Sequence, residues 1–215
     1  MRRLPRTIGI GIVALAILLP LGAVVSQPPD SSAAPDTDAG AITTVEAFHQ
    51  ALFAVMRQAD TLRFVDRRQR LAPVVHRSFD FTTISAAVVS ASQWKELTEA
   101  QRSRMEETFR ELTLATYADR FDGYSGEQFE TFSQRPVRRG RTLVRSELRI
   151  PDKDPVQLDY VLQRVGDEWR IVNVLADGVS DLSVKRAEYS SILRTSGFEQ
   201  LIAQLRKQIA ELSAD

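Results

Sequence analysis

The spacing of hydrophobic residues changes once along the chain and separates a helical part from a part built of strands. From Thr43 to Phe121, apolar residues recur every three or four positions, which places them on one face of an α-helix. This pattern predicts four helices: one starting at Thr43, one over about Thr61–Arg77, one over Ile84–Val89 and a long one after the capping residue Thr98.

After two glycines, the spacing of apolar residues falls to two, as in β-strands with one buried face. The alternation predicts four strands joined by short turns into an antiparallel meander, over residues 129–134, 142–150, 157–165 and 169–176. In the last strand both alternating sets are largely apolar, which is typical of a strand covered on both faces. We therefore expect that strand to lie in the centre of the sheet.

Two more amphipathic helices follow the strands and complete the predicted fold. One begins at Ser180 or Asp181, and the other begins at Ser196, where Glu199 completes a capping box. The order of the elements predicts an α+β domain over residues 43–213, in which a curved four-stranded antiparallel sheet is covered by a layer of about six helices.

The N-terminal residues have a different composition and are expected to lie outside this domain. Three arginines among the first six residues precede an apolar run from Ile8 to Val25, which is the pattern of a signal peptide. We predict a signal peptide over residues 1–26, with an uncleaved membrane anchor as the alternative. Residues 27–41 contain no large apolar side chain, and residues 27–42 are predicted to be a disordered linker.

Composition removes several classes of function. The chain carries 28 basic and 28 acidic residues, so its overall charge gives no attraction to nucleic acid. It has no cysteine, which excludes disulfides, thiolate metal sites and cysteine nucleophiles. The fold must therefore be stabilised by packing.

No cluster of reactive side chains is evident in the sequence. The two histidines, His49 and His76, do not have the spacing of a metal-binding motif, and no Gly-x-Ser-x-Gly nucleophile motif occurs. Asp159 and Tyr160 resemble the acid and tyrosine pair of some small isomerase folds, but alternation places them on opposite faces of one strand. We therefore predict neither catalytic residues, nor a metal, nor a cofactor.

Four arginines surround the turn after Pro136 and admit two interpretations. Arg135, Arg138, Arg139 and Arg141 can form the solvated end of a hairpin. They can also form a docking patch for a partner or for an anionic head group.

The many apolar residues of the long helix and the strands also admit two interpretations. A filled core and a lipid cavity use the same residue types and differ only in whether the middle is occupied. Periodicity alone leaves both open.

Short sequence motifs favour one of these two interpretations by resemblance. They are Arg70–Val75, Ser78–Phe81, Trp94 before Thr98, Gln101–Phe109, Ala115–Ala118, Arg120–Glu127, Trp169–Val174, Asp177–Leu182 and Thr195–Phe198 before Leu201–Ile202. In their order and spacing, which extend over nearly all of residues 43–212, these motifs resemble the MlaC and toluene-tolerance family of periplasmic lipid-binding proteins, and within it the hopanoid-associated HpnM branch. One departure is Ser90–Gln93, where the family commonly has a glycine, and it affects the expected pocket mouth.

The resemblance implies a helical layer over a strongly curved sheet that encloses a hydrophobic pocket for acyl chains. It implies a periplasmic carrier, not an enzyme, that shuttles phospholipid between an outer-membrane lipoprotein complex and an inner-membrane transporter. For the hopanoid branch it implies hopanoid export through an inner-membrane transporter. A membrane-anchored scaffold protein of such an export system, or a small-molecule enzyme with a cone-shaped fold, are the alternatives.

On this basis we predict which side chains contact the lipid. All project from the long helix or from the strands toward the expected interior, and Tyr160 and Ser146 are the expected polar anchors. The predicted lipid-binding residues are Phe109, Leu112, Tyr117, Val144, Ser146, Leu148, Leu158, Tyr160, Leu162, Ile171 and Val174.

Overall fold

A computed structural model describes residues 39–214, except for the side chains of Ala39 and Asp181. The predicted signal peptide and residues 27–38 of the predicted linker lie outside the described residues. In chain order the elements are α1 (Ala39–Met56), α2 (Phe64–Ser78), α3 (Phe81–Val89), α4 (Ala91–Glu96), α5 (Glu99–Arg120), β1 (Gln128–Val137), β2 (Arg141–Arg149), β3 (Val156–Val165), β4 (Glu168–Ala176), β5 (Val179–Ser180) and α6 (Asp181–Leu212).

The first helix starts earlier than the sequence pattern predicts. It begins at Ala39 rather than at Thr43, so residues 39–42 are helical and do not continue the linker. The first turn of α1 packs closely on Trp169 of β4. The space is so small that a Cβ atom on Gly40 would lie only 2.8 Å from the Trp169 ring. The Thr44 hydroxyl also donates to the carbonyls of Gly40 (2.9 Å) and Trp169 (3.2 Å). Contacts with a distant strand, which local periodicity does not contain, therefore extend this helix.

The middle helices agree with their predicted positions. The capping box at the start of α5 is confirmed: the Thr98 hydroxyl accepts a hydrogen bond from the Gln101 amide, and the Gln101 side chain accepts one from the Thr98 amide. The short helix α4 is not predicted by the sequence pattern. It follows Ser90, whose φ of 78° ends α3 and turns the chain.

The last helix combines the two that the sequence predicts. Helix α6 extends over Asp181–Leu212, but Gly197 interrupts it with φ 83° and ψ 176°. Glycine adopts this conformation without a steric penalty, so the break falls next to the predicted second start at Ser196.

The sheet is antiparallel, with strand order β1-β2-β3-β4-β5. It has five strands rather than the predicted four, because the two residues of β5 pair with Leu175 and Ala176. The prediction that β4 lies in the centre is wrong. Strand β4 pairs with β5 only at Leu175 and Ala176. The segment between α2 and α3 lies along the same edge of β4, where the Asp80 amide donates to the Ile171 carbonyl (3.0 Å).

A β-bulge explains why both alternating sets of β4 are apolar. Val161 pairs with Asn173, but Leu162 pairs with Ile171, which leaves Val172 as an extra residue in β4. Such a residue reverses the alternation beyond it, so Ile171 and Val174 lie on the same face. A second bulge leaves Phe132 as the extra residue of β1. The regular pair β2 and β3 thus lies between two strands that bulges bend.

The helices cover one face of this sheet, which we call the inner face. Helix α1 lies against β1, β2 and β4, and α5 packs on α2, α3 and α6. One hydrophobic core connects the helices with the inner face, as expected for an α+β domain. Among residues 39–214, no helix has the length and apolarity needed to cross a membrane.

Candidate functional site

A buried hydrogen bond lies between α1 and the inner face. Nε2 of His49, on α1, is 2.9 Å from the hydroxyl of Tyr160, on β3. The two residues are only 4% and 2% exposed. His49 belongs to the buried face of α1, because it lies four residues after Val45 and three before Leu52, both of which are buried.

Burial keeps both partners uncharged at neutral pH. Desolvation lowers the pKa of His49 to about 4. Burial also raises the pKa of Tyr160 well above its usual value, and the nearby Tyr117 contributes in the same direction. A neutral imidazole and a neutral phenol offer one donor and one acceptor to each other. The pair is therefore a hydrogen-bonding group without net charge inside an apolar region.

Aromatic rings surround the His49–Tyr160 pair. The ring of Phe129, from β1, stacks on His49 with a centroid distance of 4.3 Å and an angle of 15°. Phe48 approaches Tyr160 edge-on at 6.4 Å and Tyr117 at 5.0 Å. These contacts join α1, α5 and the sheet in one aromatic cluster, and such pairs add to the stabilisation from burial.

Most of the predicted lipid-binding residues share one hydrophobic core with Tyr160. Nine of them belong to, or pack against, the hydrophobic core. The other two, Ser146 and Leu148, lie on the same inner face because they pair with Leu158 and Val156 of β3. The nine are Phe109, Leu112, Tyr117, Val144, Leu158, Tyr160, Leu162, Ile171 and Val174.

The two expected polar anchors already have partners within the protein. The Ser146 hydroxyl donates to the Leu158 carbonyl (3.1 Å), and Tyr160 is bonded to His49. His49 itself was not among the predicted site residues. Its position on the apolar stripe of α1 was a signal in the sequence, but its partner is 111 residues away and local spacing does not reveal it.

Three of these side chains in the middle of the inner face are covered completely by their neighbours. Val144, Leu162 and Ile171 are fully buried. Two surface pockets, of about 350 and 420 Å³, open elsewhere, and none of the predicted lipid-binding residues lines either of them. A ligand that contacts Val144, Leu162 or Ile171 must therefore displace the side chains that now cover them.

The outer face of the sheet has a different chemistry. Asp159 is buried but accepts hydrogen bonds from Arg145, opposite it on β2 (3.1 Å), and from Gln157 (2.9 Å). Asp159 and Tyr160 thus point to opposite sides, as predicted, and do not share a site. Within the described part of the chain, no group of three or more histidine, aspartate and glutamate side chains is placed to hold a metal ion.

Comparisons with known proteins agree with this architecture. The model of the family described as MlaC protein matches residues 46–207. A solved structure, the phospholipid-binding protein from Ralstonia solanacearum in complex with a phospholipid, superposes with a TM-score of 0.66 at 19% sequence identity. The match covers 80% of this chain and 98% of that one. At this identity the structural likeness establishes a shared fold.

Proposed function

Because the chain belongs to the MlaC protein family, we propose that it is a periplasmic carrier that binds the apolar parts of a phospholipid or hopanoid. The lipid lies between the inner face of the sheet and the helices. The observation that carries the proposal is the single apolar core that joins this face to α1 and α5 and contains one uncharged polar pair. The phospholipid held by the Ralstonia protein of the same fold supports it.

The physical task of such a carrier is to shield methylene groups from water. Each methylene costs about 0.8 kcal/mol when exposed, so two acyl chains of about 15 carbons cost roughly 24 kcal/mol. An apolar interior removes this cost without any chemical step. The proposal therefore needs no nucleophile, metal or cofactor, and it describes a binding protein rather than an enzyme.

In this proposal, the entering lipid displaces side chains that pack between the sheet and the helices. When an acyl chain replaces the contacts of Phe48, Phe129 or Tyr117 with the sheet, one apolar contact is exchanged for another, so the free-energy change is small compared with the cost of exposure to water. The His49–Tyr160 pair behaves differently. It either stays intact or bonds to a polar group of the ligand, because a buried donor without a partner costs about 1–3 kcal/mol.

Transfer between membranes requires partners, since a carrier alone only equilibrates its ligand. We propose an inner-membrane transporter and an outer-membrane lipoprotein complex as those partners, following the resemblance in the sequence. The predicted signal peptide over residues 1–26 delivers the chain to the periplasm in this proposal.

Organic extraction of the purified protein, followed by mass spectrometry, tests the proposed function. We expect one bound lipid per chain, and its mass distinguishes phospholipid from hopanoid. Leu148→Trp places a bulky ring on the inner face and should reduce the extracted lipid at least tenfold, about 1.4 kcal/mol, without unfolding the domain. Leu143→Trp, on the outer face of the same strand, is the matched control.

Two outcomes contradict the carrier. A wild-type protein that yields no lipid above background favours the scaffold alternative. Equal amounts of lipid from Leu148→Trp and Leu143→Trp would show that the ligand does not occupy the inner face.

A further inference from the structure

The turn between β1 and β2 carries an unusual concentration of positive charge. Arg135, Arg138 and Arg139 are exposed, and Arg141 is partly exposed. In a chain with equal numbers of acidic and basic residues, no carboxylate occurs from residue 131 to residue 146. We call these four arginines the basic tip.

The arginines of the basic tip differ from others on the same strands. On the outer face, Arg145 pairs with Asp159, and Arg149 pairs with Glu130 and Glu147. Within the described residues, none of the four basic-tip guanidinium groups forms an ion pair. The one hydrogen bond found for them joins Nε of Arg141 to the side chain of Gln163 (3.1 Å).

The backbone of the turn adds an independent observation. Arg139 has a φ of 66°, a left-handed conformation that costs a side chain with a Cβ roughly 1 kcal/mol. Among residues 39–214, the other non-glycine residues with positive φ are Ser90, Asp152 and Asp177, and aspartate is among the residues that tolerate this conformation. An arginine therefore occupies a position where glycine or asparagine would be more favourable.

The charge is confined to one end of the sheet. The adjacent turn between β3 and β4 contributes Arg164 but also Asp167 and Glu168, and so adds no positive charge. At the opposite end, the turn between β2 and β3 carries Asp152 and Asp154 with only Lys153. The sheet thus has a basic end and a weakly acidic end, which orients the molecule in an electric field.

We propose that the basic tip docks this protein onto a bilayer surface that contains anionic phospholipid. A projecting turn suits a flat array of phosphates better than a shaped ligand, and neither of the two surface pockets includes a basic-tip arginine. Guanidinium groups bind phosphate oxygens in bidentate geometry. The contact is electrostatic and superficial, because among the described residues of these two turns Val165 is the one exposed large hydrophobic side chain.

Co-sedimentation of the full-length protein with vesicles tests this inference. The vesicles contain phosphatidylcholine alone, or with about a third phosphatidylglycerol. The test variant is Arg138→Gln with Arg139→Asn, since asparagine accepts the left-handed conformation. The matched control is Arg145→Gln with Arg149→Gln, which removes the same charge from the outer face. The predicted N-terminal apolar run is identical in all three proteins, so their difference reports the arginines.

We expect about a fivefold loss of affinity for each arginine removed, and therefore a loss of about 25-fold for the test variant on anionic vesicles. The control should bind like the wild type, and added salt should abolish the difference. Equal binding by the test variant and the wild type, or equal wild-type binding to both kinds of vesicle, would overturn the proposal. Lipid extraction from the same preparations measures the bound lipid independently of vesicle binding. The carrier proposal and the membrane-docking proposal can therefore be contradicted separately.

Discussion

Asp159 and Tyr160 are neighbours on β3 with nearly the same burial, 6% and 2% exposed, but they face different surroundings. On the outer face, the partner of Asp159 is Arg145, whose side chain is 46% exposed. On the inner face, the partner of Tyr160 is His49, which is itself buried among aromatic rings. Water and salt reach the outer pair and screen it, whereas the inner pair has only the protein to stabilise it. The exposure of the hydrogen-bond partner therefore distinguishes the two environments, whereas the burial of Asp159 and Tyr160 themselves does not.

The largest expected effect is a pH dependence of stability that His49 of the inner pair produces. The folded-state pKa of His49, about 4, lies below the ordinary histidine value of 6.5 because the ring is buried. Above pH 6.5 the ring is neutral in both states. As the pH falls to 4, the unfolded chain binds a proton that the folded chain does not, so the free energy of unfolding falls by about 3 kcal/mol and then levels off.

Urea unfolding of the wild type and of His49→Gln, at a series of pH values, measures this effect. Glutamine keeps a hydrogen-bonding group near Tyr160 but does not titrate. The difference between the two proteins should vary with pH across this interval. A constant difference would show that the pKa of His49 is the same in the folded and the unfolded protein.

A smaller effect is expected when the inner pair loses one member. Tyr160→Phe leaves the His49 ring without its partner in an apolar region, which should lower the free energy of unfolding by about 1–3 kcal/mol. Combining it with His49→Phe removes both polar groups and should recover part of the loss. Unfolding of the single and double variants at pH 7 measures this coupling, and a double variant less stable than the sum of both single changes would contradict it.

The smallest effect is expected on the outer face. Arg145→Met removes a half-exposed partner, while the Gln157 side chain still donates to Asp159. We expect a loss below about 1 kcal/mol that decreases further in high salt. The same unfolding measurement applies. A loss larger than that of Tyr160→Phe would reverse the comparison between the two faces.

Local patterns predict most of the fold because most of its elements are amphipathic. The capping box at Thr98 and the strict alternation of β2 locate their elements closely. The errors have a different origin. The start of α1 depends on Trp169, and the neighbours of β4 depend on the segment around Phe79. Contacts between residues far apart in sequence determine these two features, and the local spacing of apolar residues contains no information about such contacts.

The candidate site is predicted in part for the same reason. The register of the strands brings Val144, Tyr160 and Val174 side by side. Residue type and alternation are enough to select Val144 and Tyr160, whereas the side on which Val174 lies relative to Ile171 depends on the bulge at Val172. His49 is a single polar residue on an apolar stripe, and only its distance to Tyr160 gives it a role. Whether these residues contact lipid stays a prediction, because their burial is the same in a filled core and around a ligand.

The extra residue in β4 has a consequence for how this protein can be altered. Without Val172, Asn173 and Ile171 would oppose Val161 and Leu162 in unbroken register, and every remaining side chain of the strand would keep its present side. Deleting Val172 would therefore restore strict alternation along β4. It would also straighten the strand, because a bulge is what bends it. One extra residue thus sets both the phase of the alternation and the bend of a strand on which α1 packs.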